Sequence, residues 1–342
     1  MRVGIAHRDS RFRARIAEIL TQEYEAQCEF SVADAPACER LTRHHLPDIL
    51  LLDMGLPGGR ISELTRSLVN ETHCIVLLLD SAGSKDVSVI FECLGHGATD
   101  VARLPRDVQA ADSTVWNDFR NRFGTLLRLT GHGVAAEGRW AAGMPVQTKE
   151  QAAPALVVLG SSTGGPRALA TVLASFQSST QAAIVIVQHL DAHFYPELAD
   201  WLGVGCALPV IAVTEPMLLE SGRVYLAARP EHLVMTQDFR LAFSHDWKDL
   251  ICRPSIDVFF RSVAAVPGAR GAGALLTGMG RDGAEGLLAL RNAGFYTIAQ
   301  DAATSVIYGM PKAAAELGAA KLVLPIEEIG AGLLRGISGV AR

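Results

Sequence analysis

The chain has 342 residues, of which 49% are apolar and 20% charged, a composition that supplies the cores of two soluble domains. A net charge of −5, a pI near 6.1 and the lack of any block of like charge argue against nucleic acid or an anionic membrane as partner. A protein or a small molecule is the expected partner, and with no signal-peptide pattern and no apolar run near the roughly 20 residues of a membrane span, a cytoplasmic location is expected.

The first third alternates short β-branched or leucine runs with helical patterns. "RVGIA", "CEFSVA", "DILLLD", "CIVLLL" and "ATDVAR" read as strands, and residues 10–25, 35–45, 60–69, 84–95 and 108–129 as helices. Such alternation implies a parallel sheet with helices on both faces. Residues 130–153 lose periodicity and fill with Gly, Ala and Pro, which predicts a linker between a domain over 1–129 and another over 154–342.

The second half repeats the pattern with strand "ALVVL", a helix over 166–176 and strand "AAIVIVQ". Between about Pro209 and His245, short runs such as "RVYLAA" and "RLAFSH" suit hairpins inserted into the fold. A helix at "SIDVFFRSVAAV", strand "GAGALLT", a helix over 284–293, strand "FYTIAQ" and a closing helix near "GMPKAAAEL" complete a largely parallel α/β sheet. The cysteines Cys28, Cys38, Cys74, Cys93, Cys206 and Cys252 form no C-x-x-C pair, so they read as reduced thiols and not as a zinc site or a disulfide framework.

The loop in "VVLGSSTGGPRAL" joins a strand to a helix that opens with Pro166, which builds an anion site from backbone amides. A dinucleotide would need an acid about 20 residues on, at the end of the second strand. That strand ends in Gln188 and His189, so a nicotinamide-dependent oxidoreductase is disfavoured. The segment also satisfies G-x-S-x-G, with Ser162 central, as for a nucleophile held above a sheet edge.

A serine needs a base, and a base needs an orienting carboxylate. His189 stands at the carboxyl end of the next strand, and Asp282 lies in the loop "GMGRDG" after a third. Asp191, Asp257 and Asp301 are alternative acids, and His193 an alternative base. The order Ser, His, Asp differs from the Ser, Asp, His order of α/β-hydrolases.

"LGSSTGGPRAL", "VQHLDAHFYPELADWL", "RPSIDVFFRSVA", "LLTGMGRDGAEGLLALRNAG" and "TIAQDAATSVIYGMPKAA" together resemble the catalytic domain of the chemotaxis protein-glutamate methylesterases, the CheB family. The resemblance implies hydrolysis of glutamate γ-methyl esters on chemoreceptors, in many members with glutamine deamidation, and calls for no cofactor and no metal. It places the nucleophile on Ser162, the base on His189 and the orienting carboxylate on Asp282, while Ser161 falls where the family often has alanine. Thr163, Gly164 and Met279 fall in the loops expected to bind substrate and oxyanion. The rival reading is a non-catalytic chemosensory adaptor.

The N-terminal half resembles the response-regulator receiver domain, a flavodoxin-like fold whose usual partner is a chemosensory histidine kinase. Asp53, ending "DILLLD", matches the phosphoacceptor. Where a receiver has a metal-binding acid pair, this chain has His7 and Arg8, with Asp9 just beyond; the hydroxyl position falls near Leu79 and the lysine position is Leu104. A pseudo-receiver that phosphate does not switch is therefore expected.

Overall fold

The structure, a computed structural model, describes residues 1–81, 88–108, 113–129, 154–244, 246, 250 and 252–339. They belong to two compact units, Met1–Ala135 and Ala136–Arg342. The linker expected over 130–153 lies outside the described residues, as do the first turn of the helix expected over 84–95 and residues 109–112 of the next.

Unit 1 runs β1 (Arg2–Ala6), α1 (Ser10–Tyr24), β2 (Gln27–Val32), α2 (Ala35–His45), β3 (Ile49–Asp53), α3 (Ile61–Thr72), β4 (Ile75–Asp80), α4 (Ser88–Gly95), β5 (Asp100–Arg103) and α5 (Ser113–Leu129). All strands are parallel in the order β2-β1-β3-β4-β5, the flavodoxin-like winding. β3 is buried along its whole length because helices cover both faces, which is why it reads as an unbroken apolar run. One face packs Ile5, Leu51 and Leu79 against Ile16, Leu20, Phe119 and Phe123. Asp53 thus ends a buried strand at the carboxyl edge, beside Leu79 of β4.

Unit 2 runs β6 (Ala155–Ser161), α6 (Gly165–Leu173), β7 (Ala182–Gln188), a 3-10 turn (Ala192–Phe194), α7 (Tyr195–Gly205), β8 (Val210–Val213), β9 (Met217–Leu218), β10 (Arg223–Ala227), β11 (His232–Met235) and β12 (Arg240–Ser244). It continues with α8 (Ile256–Ala264), β13 (Gly271–Leu275), α9 (Ala284–Asn292), β14 (Tyr296–Gln300), α10 (Met310–Glu316), β15 (Leu322–Leu324) and α11 (Ile326–Gly339). Seven strands form a parallel sheet in the order β15-β14-β13-β6-β7-β10-β8, and β11-β12-β9 form a separate antiparallel sheet.

Two expectations need correction. "RVYLAA" is not a hairpin strand: β10 lies inside the parallel sheet between β7 and β8, with Val224, Tyr225, Leu226 and Ala227 buried. Burial on both faces, not alternation, is the mark of such a strand. The chain also does not close at α10, since β15 and α11 follow.

Ile256, Phe259, Phe260 and Val263 of α8 are fully buried, each side chain contributing about 1.5–3 kcal/mol. That anchoring fixes the N-terminus of α8, which the site below uses. Among the described residues, no helix is long and apolar enough to cross a membrane.

Candidate active site

β6 is flanked by β7 on one side and β13 on the other, and the chain leaves it first toward one edge and later toward the opposite one. The crevice beyond the carboxyl end of β6 is therefore the topological switch point, where open α/β sheets bind ligands. Ser162, His189 and the loop holding Asp282 all follow strands that end there.

The register pairs Ser161 with Gln188, so Ser162 and His189 are the next residues on adjacent strands. Ser162 is half-buried. Its amide donates to Thr277 O at 3.0 Å, and its carbonyl accepts from Gly165 N at 2.7 Å and Gln188 Nε2 at 2.8 Å. A methyl group at Gly278 would sit 2.7 Å from Ser162 Cβ, so the loop after β13 must carry glycine to approach the serine. Gly164, at φ +77°, begins α6 in the left-handed region.

His189 Nε2 and Asp282 Oδ2 are 2.8 Å apart. Asp282 also accepts from Ser255 Oγ at 2.7 Å, Ile256 N at 2.8 Å and Asp257 N at 3.1 Å, the opening of α8. Ile256 is wedged in place: added methyl groups at Gly160 and Gly283 would meet its Cγ2 at 2.4 and 2.6 Å. Burial opposes the charge of Asp282, but the hydrogen bond and charge of His189, the Ile256 amide and the Ser255 hydroxyl outweigh it. The carboxyl is held below its ordinary range, and the helix N-terminus adds to the same effect.

The structure brings His189 and Asp282 together and sets Ser162 beside them in register, while the Ser162 hydroxyl makes no hydrogen bond among the described residues. The alternatives serve elsewhere. Asp191 accepts from His193 N at the 3-10 turn, Asp301 accepts from Thr304 N and Oγ1, and Asp257 accepts from Gly286 N at 2.6 Å. Burial and the charge of Asp282 raise Asp257 to about 7.

With the amides of Ser162 and Gly165 engaged, those of Gly164 and Met279 have no acceptor among the described residues. Thr163 is buried, its carbonyl accepting from Thr277 Oγ1 at 3.0 Å. Residues not read as site residues from sequence complete the frame. Gln188 Nε2 donates to both Ser162 O and His189 O, at 2.8 and 2.9 Å, and Gln188 Oε1 accepts from Ser161 Oγ at 2.5 Å. Ser255 caps α8 and holds Asp282; an S-x-D start to an apolar helix was its only signal in the sequence.

A family model described as CheB methylesterase matches residues 157–333. "Protein-glutamate methylesterase/protein-glutamine glutaminase 2" of Cupriavidus metallidurans is 38% identical over 346 residues, covering 100% of both chains. The chain belongs to the CheB methylesterase family. A Bordetella avium member, "Protein-glutamate methylesterase/protein-glutamine glutaminase 1", is 39% identical over 96% of this chain and 95% of its own. The crystal structure of the Thermotoga maritima CheB methylesterase catalytic domain aligns at TM-score 0.50 and 34% identity, covering 54% of this chain and 98% of that one.

In unit 1 of this CheB-family chain, Asp53 is fully buried and accepts from Arg8 N at 3.2 Å and Gly55 N at 3.1 Å. The Arg8 guanidinium lies 3.5 Å from Asp53 Oδ2 and reaches Gly55 O at 3.3 Å and Ser81 Oγ at 3.4 Å. His7 Nε2 is 4.0 Å from Asp53 and has no hydrogen-bond partner among the described residues; burial pushes its pKa down against the pull of Asp53. Asp9 turns instead to Arg11, whose side chain and amide hold it at about 2. A cavity of about 500 Å³ beside Asp53 is lined by His7, Arg8, Asp9, Phe12, Ser81 and Arg106. The hydroxyl there is Ser81, not a residue at Leu79, which is buried in β4; Leu104 is buried too, and the cation beyond Pro105 is Arg106.

Proposed function

We propose that unit 2 hydrolyses glutamate γ-methyl esters on the cytoplasmic helices of chemoreceptors, releasing methanol, and hydrolyses receptor glutamine amides by the same route. Ser162 is the nucleophile, His189 the base and Asp282 the orienting carboxylate. The observation that carries this is the 2.8 Å His189–Asp282 hydrogen bond, set on the strand next to Ser162. Because Nε2 faces Asp282, Nδ1 is the nitrogen that takes the serine proton.

The Ser162 oxygen attacks the ester carbonyl, and its proton passes to His189. The Gly164 and Met279 amides stabilise the oxyanion. Collapse expels methanol, or ammonia from an amide, with the proton returned by His189. Water then attacks the acyl-enzyme by the same base and frees the glutamate. Ser162→Ala and His189→Ala each lower methanol release from methylated receptor by roughly 10³–10⁶-fold without unfolding the chain. Near-normal release by Ser162→Ala refutes the assignment.

Unit 1 acts as a pseudo-receiver. The support is the Arg8 guanidinium beside Asp53, a cation where phosphoryl transfer needs a metal. A chemosensory histidine kinase is then a partner in contact, not in phosphoryl exchange. Labelling with a small phosphodonor and Mg²⁺ leaves Asp53 unmodified; robust labelling that Asp53→Ala abolishes overturns this.

A further inference from the structure

Cys252 has no part in the mechanism above, and nothing in the spacing of the cysteines along the chain singles it out. In the fold it lies just before the cap of α8. A ring nitrogen of His189, the Cys252 sulfur and a carboxylate oxygen of Asp282 all lie within 4.8 Å of one another, on three half-buried residues from three separate loops.

One nitrogen, one thiol sulfur and one carboxylate oxygen are the donor set of Zn²⁺, whereas Mg²⁺ and Ca²⁺ take oxygen almost alone. Tetrahedral bonds of about 2.0–2.3 Å set donors roughly 3.3–3.7 Å apart, so side-chain movements of about 1 Å close these three around an ion. The supporting shell exists already: Ser255 Oγ, Ile256 N and Asp257 N hold the Asp282 carboxylate. Such outer hydrogen bonds are what fix a ligating carboxylate. A fourth position is left for water, as in open zinc sites.

We infer that His189, Cys252 and Asp282 form a binding site for a thiophilic divalent cation, Zn²⁺ fitting best, and that occupancy of this site and catalysis exclude each other. On binding, the Cys252 thiol gives its proton to solvent, sulfur bonds the ion, and no oxidation state changes. Neutral imidazole has one nitrogen with an available lone pair, and a metal there removes the base. The exclusion rests on the reading of His189 as base; the binding does not.

The test uses the full-length chain as wild type, Cys252→Ser, Cys252→Ala and Ser162→Ala. Titrated with Co²⁺, wild type and Ser162→Ala develop a thiolate-to-metal absorption band that both Cys252 variants lack. In calorimetry with Zn²⁺, the Cys252 variants bind on the order of 100-fold more weakly. With chelator present, Cys252→Ser hydrolyses methyl esters at the wild-type rate, and on the order of 100-fold more Zn²⁺ is needed to half-inhibit it.

No thiolate band in wild type, an equal band in a Cys252 variant, or equal Zn²⁺ affinity overturns the site. Zn²⁺ binding through Cys252 without inhibition overturns the exclusion. Should Ser162→Ala keep full esterase activity, only the nucleophile assignment falls, because the Co²⁺ band of that variant reports the ion site independently.

Discussion

Gln188→Leu separates the geometry of this site from its chemistry. The side chain is buried and touches no reacting atom, yet it ties the backbones that carry Ser162 and His189. Leucine removes three hydrogen bonds. Ser162 O keeps Gly165 N as a donor, whereas Ser161 Oγ and His189 O lose their partners among the described residues. Two orphaned polar groups cost about 2–6 kcal/mol together, which lowers Tm by roughly 5–20 °C for a unit of this size. Loosening the two loops by about 1 Å costs on the order of 100-fold in kcat with KM little changed. Adding Ser161→Ala removes one orphan and recovers part of the Tm but not kcat. Methanol release and thermal melting on the three proteins decide it. Wild-type kcat in Gln188→Leu, or its recovery in the double variant, refutes the role of Gln188 as a positioning residue.

Asp282→Asn keeps the side-chain shape but presents an amide where His189 Nε2 and the Ile256 amide need an acceptor; kcat falls by about 10⁴-fold with near-native circular dichroism. Asp257 has its folded-state value raised to about 7, by burial and by Asp282, so the folded chain retains a proton that the unfolded chain gives up from about pH 4. Its contribution to stability is therefore full below about pH 4 and falls as pH rises to about 7. Asp257→Asn gains Tm relative to wild type across that window, and a Tm difference that does not change with pH contradicts the assignment. Gly164→Ala places a methyl 2.7 Å from Val306 at φ +77°, costing at least about 1–2 kcal/mol with a parallel loss of esterase rate; unchanged melting would show that the head of α6 tolerates a side chain.

Most of the fold was legible because parallel strands are written as continuous apolar runs, as in "DILLLD" and "AAIVIVQ", between helical patterns. "RVYLAA" misled because periodicity cannot tell a short interior strand from a hairpin strand. α11 is hard to read in the sequence because Gly330, Gly332 and Gly336 weaken its helical signal. Those glycines let the helix lie close on the end of α6 and on β14: added methyl groups would meet Ser175, Ile298 and Tyr296 at 2.3, 2.8 and 2.8 Å. The pairing of His189 with Asp282 is legible because His189 directly follows one strand and Asp282 lies in the loop after another. Gln188 carries no such signal in the sequence. Its hydrogen bonds run to backbone carbonyls, and those contacts appear only when two strands lie side by side.

The pairing of Arg8 with Asp53 bears on how long any signal through unit 1 would last. An ordinary receiver has a timer, since its phosphoryl group hydrolyses, and it depends on a metal that a chelator can strip away. A guanidinium borne on the chain itself neither leaves nor hydrolyses. On the pseudo-receiver reading proposed above, signal lifetime in unit 1 would be the residence time of whatever docks there, set by a dissociation rate and indifferent to the supply of phosphodonor.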